Sequence, residues 1–277
     1  MLRPWITASL TCALLCCPIV SSAGPWTKNA GEAYVKLGEG WFFADEFVDA
    51  SGQVQSGAAY LGQTTSVYGE VGIADGLHLQ FFVPHTIGTN DFEGVGRFRS
   101  ARVGDVVAGL QYSSPWLNLP HAVRAEAKVP FYDASEPGGL EGANFPLVGD
   151  GQIDYTVWLA IGDSIPNTPI YALLEVGHRF RTETFIGEGL DRSFGDSFVA
   201  FGQVGVTTWK GILLMANLQV VAPYEEDPFT KGYVTLGPGL YAPVGGGFAL
   251  EAGYDGTLWA RNSANGQAVT VGVSYSQ

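Results

Sequence analysis

Apolar and polar residues alternate along most of this chain with a period of two residues, rather than the 3.6 residues of a helix. In the last segment, Val269, Val271 and Val273 alternate with small or polar residues such as Gly272 and Ser274. Successive side chains of a strand point to opposite faces, so such a segment has one apolar face and one small, polar face. The pattern predicts an all-β protein.

Twelve segments carry this alternation, and an even number of strands is typical of single-chain bacterial transmembrane barrels. The predicted strands are residues 32–41, 62–73, 77–84, 102–112, 121–130, 152–162, 169–181, 196–207, 212–221, 231–241, 248–259 and 268–276. Pro238 lies in the tenth of them and lacks the N–H that would join a hydrogen-bond ladder. The limits of that strand are therefore left open.

The predicted connections alternate between short and long. Short turns containing Gly, Pro or Asp are predicted at residues 74–76, 163–168, 209–211 and 242–247. Longer polar connections are predicted at residues 44–61, 85–101, 131–151 and 182–195. Short periplasmic turns and long extracellular loops are typical of outer-membrane barrels, and both chain termini then lie on the periplasmic side.

Charged residues occupy the strand faces that lie opposite the apolar ones. In the fifth predicted strand, Arg124, Glu126 and Lys128 alternate with Val123 and Ala125, and charges at this spacing cannot face hydrocarbon. We therefore predict a transmembrane antiparallel β-barrel whose charged faces point into the lumen. The predicted lumen-lining residues are Lys36, Tyr68, Glu70, His78, Arg124, Glu126, Lys128, Asp154, Trp158, Glu175, Arg179, Glu251 and Asp255, with Tyr34 and Gln80 on the same faces.

The lumen charges allow two interpretations. Arg124 and Lys128 would form a basic ladder on one strand, opposed by the acidic residues Glu70, Asp154, Glu175, Glu251 and Asp255. Such charges either form a network of ion pairs that plugs the barrel or line a polar pore. A twelve-stranded barrel lies between small filled barrels and wide water-filled ones, so the strand number leaves both open.

The first 23 residues have the pattern of a secretion signal. Arg3 gives a positive start, residues 5–20 are largely apolar, and the small residues 21–23 offer a cleavage site before Gly24. An uncleaved anchor is the alternative. All three cysteines lie within this segment, so the mature chain, residues 24–277, would be one barrel domain without a disulfide.

Composition favours a sheet that faces lipid. Glycine accounts for 38 of 277 residues, and charged residues for 15%, against about 25% in ordinary soluble domains. A secreted β-sandwich or β-helix would also alternate, but it would not expose many apolar faces opposite charged ones. The net charge of −13 argues against a nucleic-acid partner, since such binding needs basic surface.

Catalysis and metal binding have little support in the sequence. His78, His85, His121 and His178 lie in no hydrolase signature, and an outer-membrane lipid hydrolase would need a nucleophile beside a positioned base. The histidines also lack the spacing of zinc ligands. The acidic loop residues Asp45, Glu46, Asp49, Glu225, Glu226 and Asp227 lack the spacing of an EF-hand. We predict no enzyme activity, no metal site and no cofactor.

Several different short motifs lie along the mature chain. They are Val71-Gly72-Ile73-Ala74-Asp75-Gly76-Leu77 leading to Phe82-Val83-Pro84, Val103-Gly104-Asp105-Val106 leading to Leu110-Gln111-Tyr112, Glu126-Ala127-Lys128-Val129-Pro130, Gly149-Asp150-Gly151-Gln152-Ile153-Asp154-Tyr155 and Val271-Gly272-Val273-Ser274-Tyr275. In these motifs the chain resembles a family of proteobacterial outer-membrane proteins known as transporters of the meta pathway of phenol degradation. The resemblance implies passive uptake of a small solute, and the family name implies an aromatic or hydrophobic one.

The expected partners follow from this location. They are outer-membrane lipid and lipopolysaccharide around the wall, the barrel assembly machinery that inserts the chain, and a small-molecule solute. A non-transport function remains as the alternative: a structural or surface-binding barrel with a plugged lumen, whose long loops make the contacts.

Overall fold

The computed structural model describes residues 24–114, 118–132, 144–146, 149, 151–185, 194–225, 227 and 229–277. The predicted secretion signal lies outside the described residues, so its cleavage before Gly24 stays a prediction. Among the described residues, no helix is long and apolar enough to cross a membrane.

In the described part of the chain, thirteen β-strands form one sheet in which all neighbours are antiparallel. They are β1 (Ala33–Val48), β2 (Val54–Ala74), β3 (Leu77–Phe92), β4 (Gly96–Val103), β5 (Asp105–Ser113), β6 (His121–Pro130), β7 (Gln152–Ser164), β8 (Ile170–Phe185), β9 (Ser197–Thr207), β10 (Leu213–Pro223), β11 (Gly232–Gly245), β12 (Phe248–Arg261) and β13 (Ser263–Ser276). A single 3₁₀ turn (Trp209–Gly211) lies between β9 and β10.

The sheet closes on itself because β1 pairs with β2 on one edge and with β13 on the other. Both β4 and β5 pair with β3, on either side of a break at Gly104, and together they form one strand of the wall. The wall therefore has twelve strands, which confirms the predicted closed antiparallel barrel.

The short turns lie where the sequence predicts them, and they share one end of the barrel. Ala74 ends β2 and Leu77 begins β3, while the 3₁₀ turn joins β9 to β10. The start of β1 and the end of β13 meet at the same end, where the Gln277 N–H donates to the Ala33 carbonyl at 3.0 Å. In an outer-membrane barrel this end is periplasmic.

Two of the predicted long loops are wrong, because most of their residues belong to strands. Strand β1 continues to Val48 and β2 begins at Val54, while β3 continues to Phe92 and β4 begins at Gly96. The residues of β4 are exposed or half-exposed along its whole length. The alternation of apolar and polar residues is weak in β4 because both faces of this strand meet water beyond the membrane. Its backbone nevertheless stays paired with β3.

The other two long connections are settled only in part. Strand β8 continues to Phe185, so the start of the predicted 182–195 loop is strand, and residues 186–193 lie outside the described part of the chain. Most of the predicted 131–151 loop also lies outside the described residues. Pro238 lies inside β11, and the pairing of β11 with β12 skips Gly237 and Pro238, as expected for a missing donor.

Side-chain exposure follows the predicted faces. On β12, Phe248 and Leu250 are half-exposed on the outside, whereas Ala249 and Glu251 are buried on the inside. On β6, Val123 is exposed and its neighbours Ala122 and Arg124 are buried. The outer face is thus apolar and suited to lipid, and the polar residues face the interior.

Candidate functional site: a charged interior closed at one mouth

The thirteen residues predicted to line the lumen fall into two groups by burial. Eight are buried, namely Lys36, Tyr68, Glu70, His78, Arg124, Asp154, Glu175 and Glu251. Five are half-buried, namely Glu126, Lys128, Trp158, Arg179 and Asp255. All therefore lie on or near the inner wall, and their role in function stays a prediction.

Arg124 is the centre of the first ion cluster. Its Nη2 lies 2.8 Å from Oε2 of Glu175, and its Nε lies 3.3 Å from Oε2 of Glu126. The guanidinium also covers the ring of Trp158 at 4.9 Å, and the indole N–H of Trp158 donates to Glu126 at 2.9 Å. The cluster joins β6, β7 and β8, which are consecutive strands of the wall.

Asp154 is the centre of the second ion cluster. Nζ of Lys128 lies 2.7 Å from Oδ2 of Asp154 and 3.2 Å from Oδ2 of Asp105. Nε of Arg181 lies 2.9 Å from the other oxygen of Asp154 and 3.1 Å from the Gln152 amide oxygen. Two cations therefore share one carboxylate that is almost completely buried.

Glu251 pairs with Lys36 of β1 and not with the basic residues of β6, contrary to the prediction. Glu251 accepts hydrogen bonds from Lys36 at 2.6 Å and from the Tyr34 hydroxyl at 2.5 Å. Glu70 accepts a hydrogen bond from Tyr68 at 2.6 Å and lies 4.0 Å from Nζ of Lys28. The Lys36–Glu251 pair thus joins β1 and β12, which are two strands apart in the ring, whereas the Lys28–Glu70 contact joins the segment before β1 to β2.

Residues 24–31, which precede β1, lie across the periplasmic mouth of the barrel, a feature that the alternation does not predict. The Gly24 carbonyl accepts a hydrogen bond from Gln111 of β5 at 2.8 Å, and Pro25 is fully buried. The Trp26 ring meets the Tyr171 ring of β8 edge-on at 6.1 Å. Because β8 is the sixth strand from β1 in a ring of twelve, this segment crosses to the opposite wall.

Further contacts hold the segment between these two ends. The Thr27 and Ser113 hydroxyls are 2.7 Å apart, and the Lys28 N–H donates to Nδ1 of His78 at 3.2 Å. The Gly31 N–H donates to the Gly72 carbonyl at 3.1 Å. A Cβ added to Gly72 would lie 1.8 Å from the Asn29 carbonyl oxygen, so this glycine permits the close approach. Residues 24–31 show no alternation of apolar and polar residues, so their position could not be predicted from that pattern.

His121 and Asp49 make contacts with nearby residues of the chain that have a structural role. Nδ1 of His121 lies 2.9 Å from the Leu119 carbonyl oxygen. The Ser51 hydroxyl, the Gln53 backbone N–H and the Gln55 amide donate to the carboxylate of Asp49 and lower its pKa to about 2. Asp49 thus holds the turn between β1 and β2. In the described part of the chain, no three His, Cys, Asp or Glu residues are grouped as metal ligands.

Taken together, the closed wall, the apolar exterior and the charged interior define an outer-membrane β-barrel. Solved structures share this fold. The COG4313 outer membrane channel from Pseudomonas putida F1 superposes with a TM-score of 0.66 at 10% identity, over 91% of this chain and 97% of that one. The translocator domain of autotransporter NalP from Neisseria meningitidis gives 0.52 at 12% identity, over 89% of each chain. The CymD monoaromatic hydrocarbon channel gives 0.47 at 9% identity, over 90% of this chain and 88% of that one.

At such low identities the likeness shows the fold and not the solute. No family model matches the chain, and no curated protein matches it. The resemblance to transporters of phenol degradation therefore stays a hypothesis. The predicted absence of enzyme activity likewise stays a prediction.

Proposed function

We propose that this protein is a passive outer-membrane channel for a small solute, closed at its periplasmic mouth by residues 24–31. One observation carries the proposal: the ion pairs Lys36–Glu251, Arg124–Glu175 and Lys128–Asp154 join strands one or two apart in the ring, whereas residues 24–31 reach the opposite wall. Moving that short segment would break the Lys28–Glu70 contact of 4.0 Å, but none of the ion pairs named above between strands of the wall. The charged inner wall would then line the path.

An aromatic or hydrophobic solute is the finer part of this proposal, and it rests on the resemblance of the short motifs. The outer-membrane location, the mature start at Gly24 and the partners expected there belong to the same proposal. Export and insertion by the barrel assembly machinery are what a chain with this fold requires.

A structural barrel is the second candidate, and the tight interior favours it. Ser197, Glu175 and Asn217 are among the inward polar residues with 3% exposure or less. Side chains packed to this degree leave little room for water beside them. On this alternative, moving residues 24–31 would open no path.

The two candidates differ in one substitution. We expect Gly72→Ala to displace residues 24–31, because the new Cβ would collide with the Asn29 backbone. Gly40→Ala is the matched control, since a Cβ there meets nothing closer than the Thr270 methyl at 3.4 Å. The measurement is the unit conductance of the refolded full-length protein in a planar bilayer.

For a channel, Gly72→Ala raises the unit conductance above that of the wild type and of Gly40→Ala. The double variant Trp26→Ala/Lys28→Ala changes no residue of the wall and should also raise the conductance. It tests the proposal even if Gly72→Ala disturbs β2 itself. Correctly folded variants that stay silent at high protein load would overturn the channel proposal in favour of a structural barrel.

A further inference from the structure

A cavity of about 560 Å³ lies at the opposite end of the barrel from the short turns, beside the ends of β8, β9 and β10. That end is extracellular if the short turns are periplasmic. The volume falls within the ~300–1,000 Å³ of ordinary small-molecule sites. None of its lining residues belongs to the ion clusters of the lumen.

Aromatic rings form much of the cavity wall, and their positions are fixed. The His178 ring is stacked on Tyr224 at 5.2 Å with an interplanar angle of 24°. Its two nitrogens lie 3.1 Å from the Tyr224 hydroxyl and 3.0 Å from Oδ2 of Asp196. Phe194 and Phe229 lie 6.2 Å apart on the other side. The rings are therefore placed before a ligand arrives.

Three carboxylates accompany these rings. Oδ1 of Asp196 accepts the Arg181 backbone N–H at 2.7 Å, and Asp227 accepts the backbone N–H groups of Gly195, Phe229 and Thr230. Glu225 is exposed at the edge of the cavity. The described residues that line the cavity include no lysine or arginine.

Phe194 separates the cavity from the lumen. The Arg181 guanidinium covers the Phe194 ring at 4.6 Å. That guanidinium is also bound to Asp154 of the second ion cluster, so its charge is compensated there. A molecule in the cavity is thus one ring away from the charged interior.

We propose that this cavity binds small organic cations with an aromatic body. The face of an aromatic ring attracts a cation. The carboxylates add to this attraction and repel anions. The role of the site as the extracellular entrance rests on the proposed channel function, but the binding itself does not.

The test uses the refolded full-length protein in detergent and titration calorimetry with three probes that share one ring. Benzyltrimethylammonium is the cation, benzyl alcohol is the neutral analogue and phenylacetate is the anion. Tyr224→Ala removes a ring, and Glu225→Gln removes a charge from an exposed side chain whose loss leaves the fold intact. Tyr112→Ala and Glu32→Gln, at the periplasmic end, are the matched controls.

We expect saturable binding of benzyltrimethylammonium that weakens about two- to five-fold in Tyr224→Ala and in Glu225→Gln, but not in the controls. Phenylacetate should not bind. Equal binding of benzyl alcohol with no effect of Glu225→Gln overturns the cationic class, and absence of saturable binding in the wild type overturns the site. A protein that conducts ions but does not bind benzyltrimethylammonium would contradict the binding site and not the channel function. A protein that binds it but shows no conductance would contradict the channel function and not the binding site.

Discussion

At the scale of single residues, Arg124 and Lys128 differ in what their removal leaves behind. Arg124→Ala takes away the cation 2.8 Å from Glu175, whose side chain is 1% exposed. Removal of one partner from such a buried pair costs about 3–5 kcal/mol. Lys128→Ala should cost less, because Arg181 still lies 2.9 Å from Asp154. Urea unfolding, followed by the gel mobility of unboiled samples, measures the difference.

Lys210→Ala is the control for this pair, since Lys210 lies exposed in the turn between β9 and β10. It should leave the unfolding midpoint unchanged. Equal losses of stability in Arg124→Ala and Lys128→Ala would show that Arg181 does not compensate the charge of Asp154 when Lys128 is removed.

The sequence places these residues on the correct face but does not pair them. Alternation alone indicates that Arg124, Glu175 and Glu251 point inward, because each lies opposite an apolar neighbour. Partners depend on the offset between strands and on their tilt around the ring, which alternation does not contain. For this reason the sequence predicts Arg124 and Lys128 as the partners of Glu251, whereas Glu251 contacts Lys36 in the structure.

At the scale of a strand, β6 offers a direct test of the lipid-facing surface. Ala127 pairs with Ala108 and Tyr155 on the outer side. Ala127→Arg places a cation toward hydrocarbon, which costs about 2–4 kcal/mol near the middle of a bilayer. We expect poor assembly of this variant in the outer membrane, measured as the fraction that migrates as a folded barrel.

Glu126→Gln is the neighbouring control on the inner side. Its amide can still accept the indole N–H of Trp158, so we expect near-normal assembly. Equal damage from the two substitutions would reverse the assignment of faces along β6.

The strands themselves are longer than their alternating segments. β2 has 21 residues, whereas a membrane-crossing strand needs about 9–11. The sequence pattern therefore predicts where lipid touches the wall, and hairpin pairing continues beyond it without a hydrophobic signal. This is the physical reason that residues 44–61 and 85–101 were predicted as loops.

At the scale of the whole molecule, we expect the mature protein in the outer-membrane fraction with Gly24 as its first residue. Mass spectrometry of the intact protein measures that start, and unboiled samples should migrate differently from boiled ones. Recovery of the protein as a soluble periplasmic product would contradict its location in the outer membrane. A mature start well after Gly24 would remove the contacts of residues 24–31 and with them the closed mouth.

The position of residues 24–31 also constrains the order of assembly. They precede β1, yet they lie inside a ring that closes only when β13 pairs with β1. Residues 24–31 must therefore be in place before β1 and β13 pair, or enter the closed ring later through its periplasmic mouth. A folded tag fused ahead of Gly24 should hinder this step, whereas one after Gln277 at the rim should not. The segment that precedes the first strand is thus held within a ring that the last strand completes.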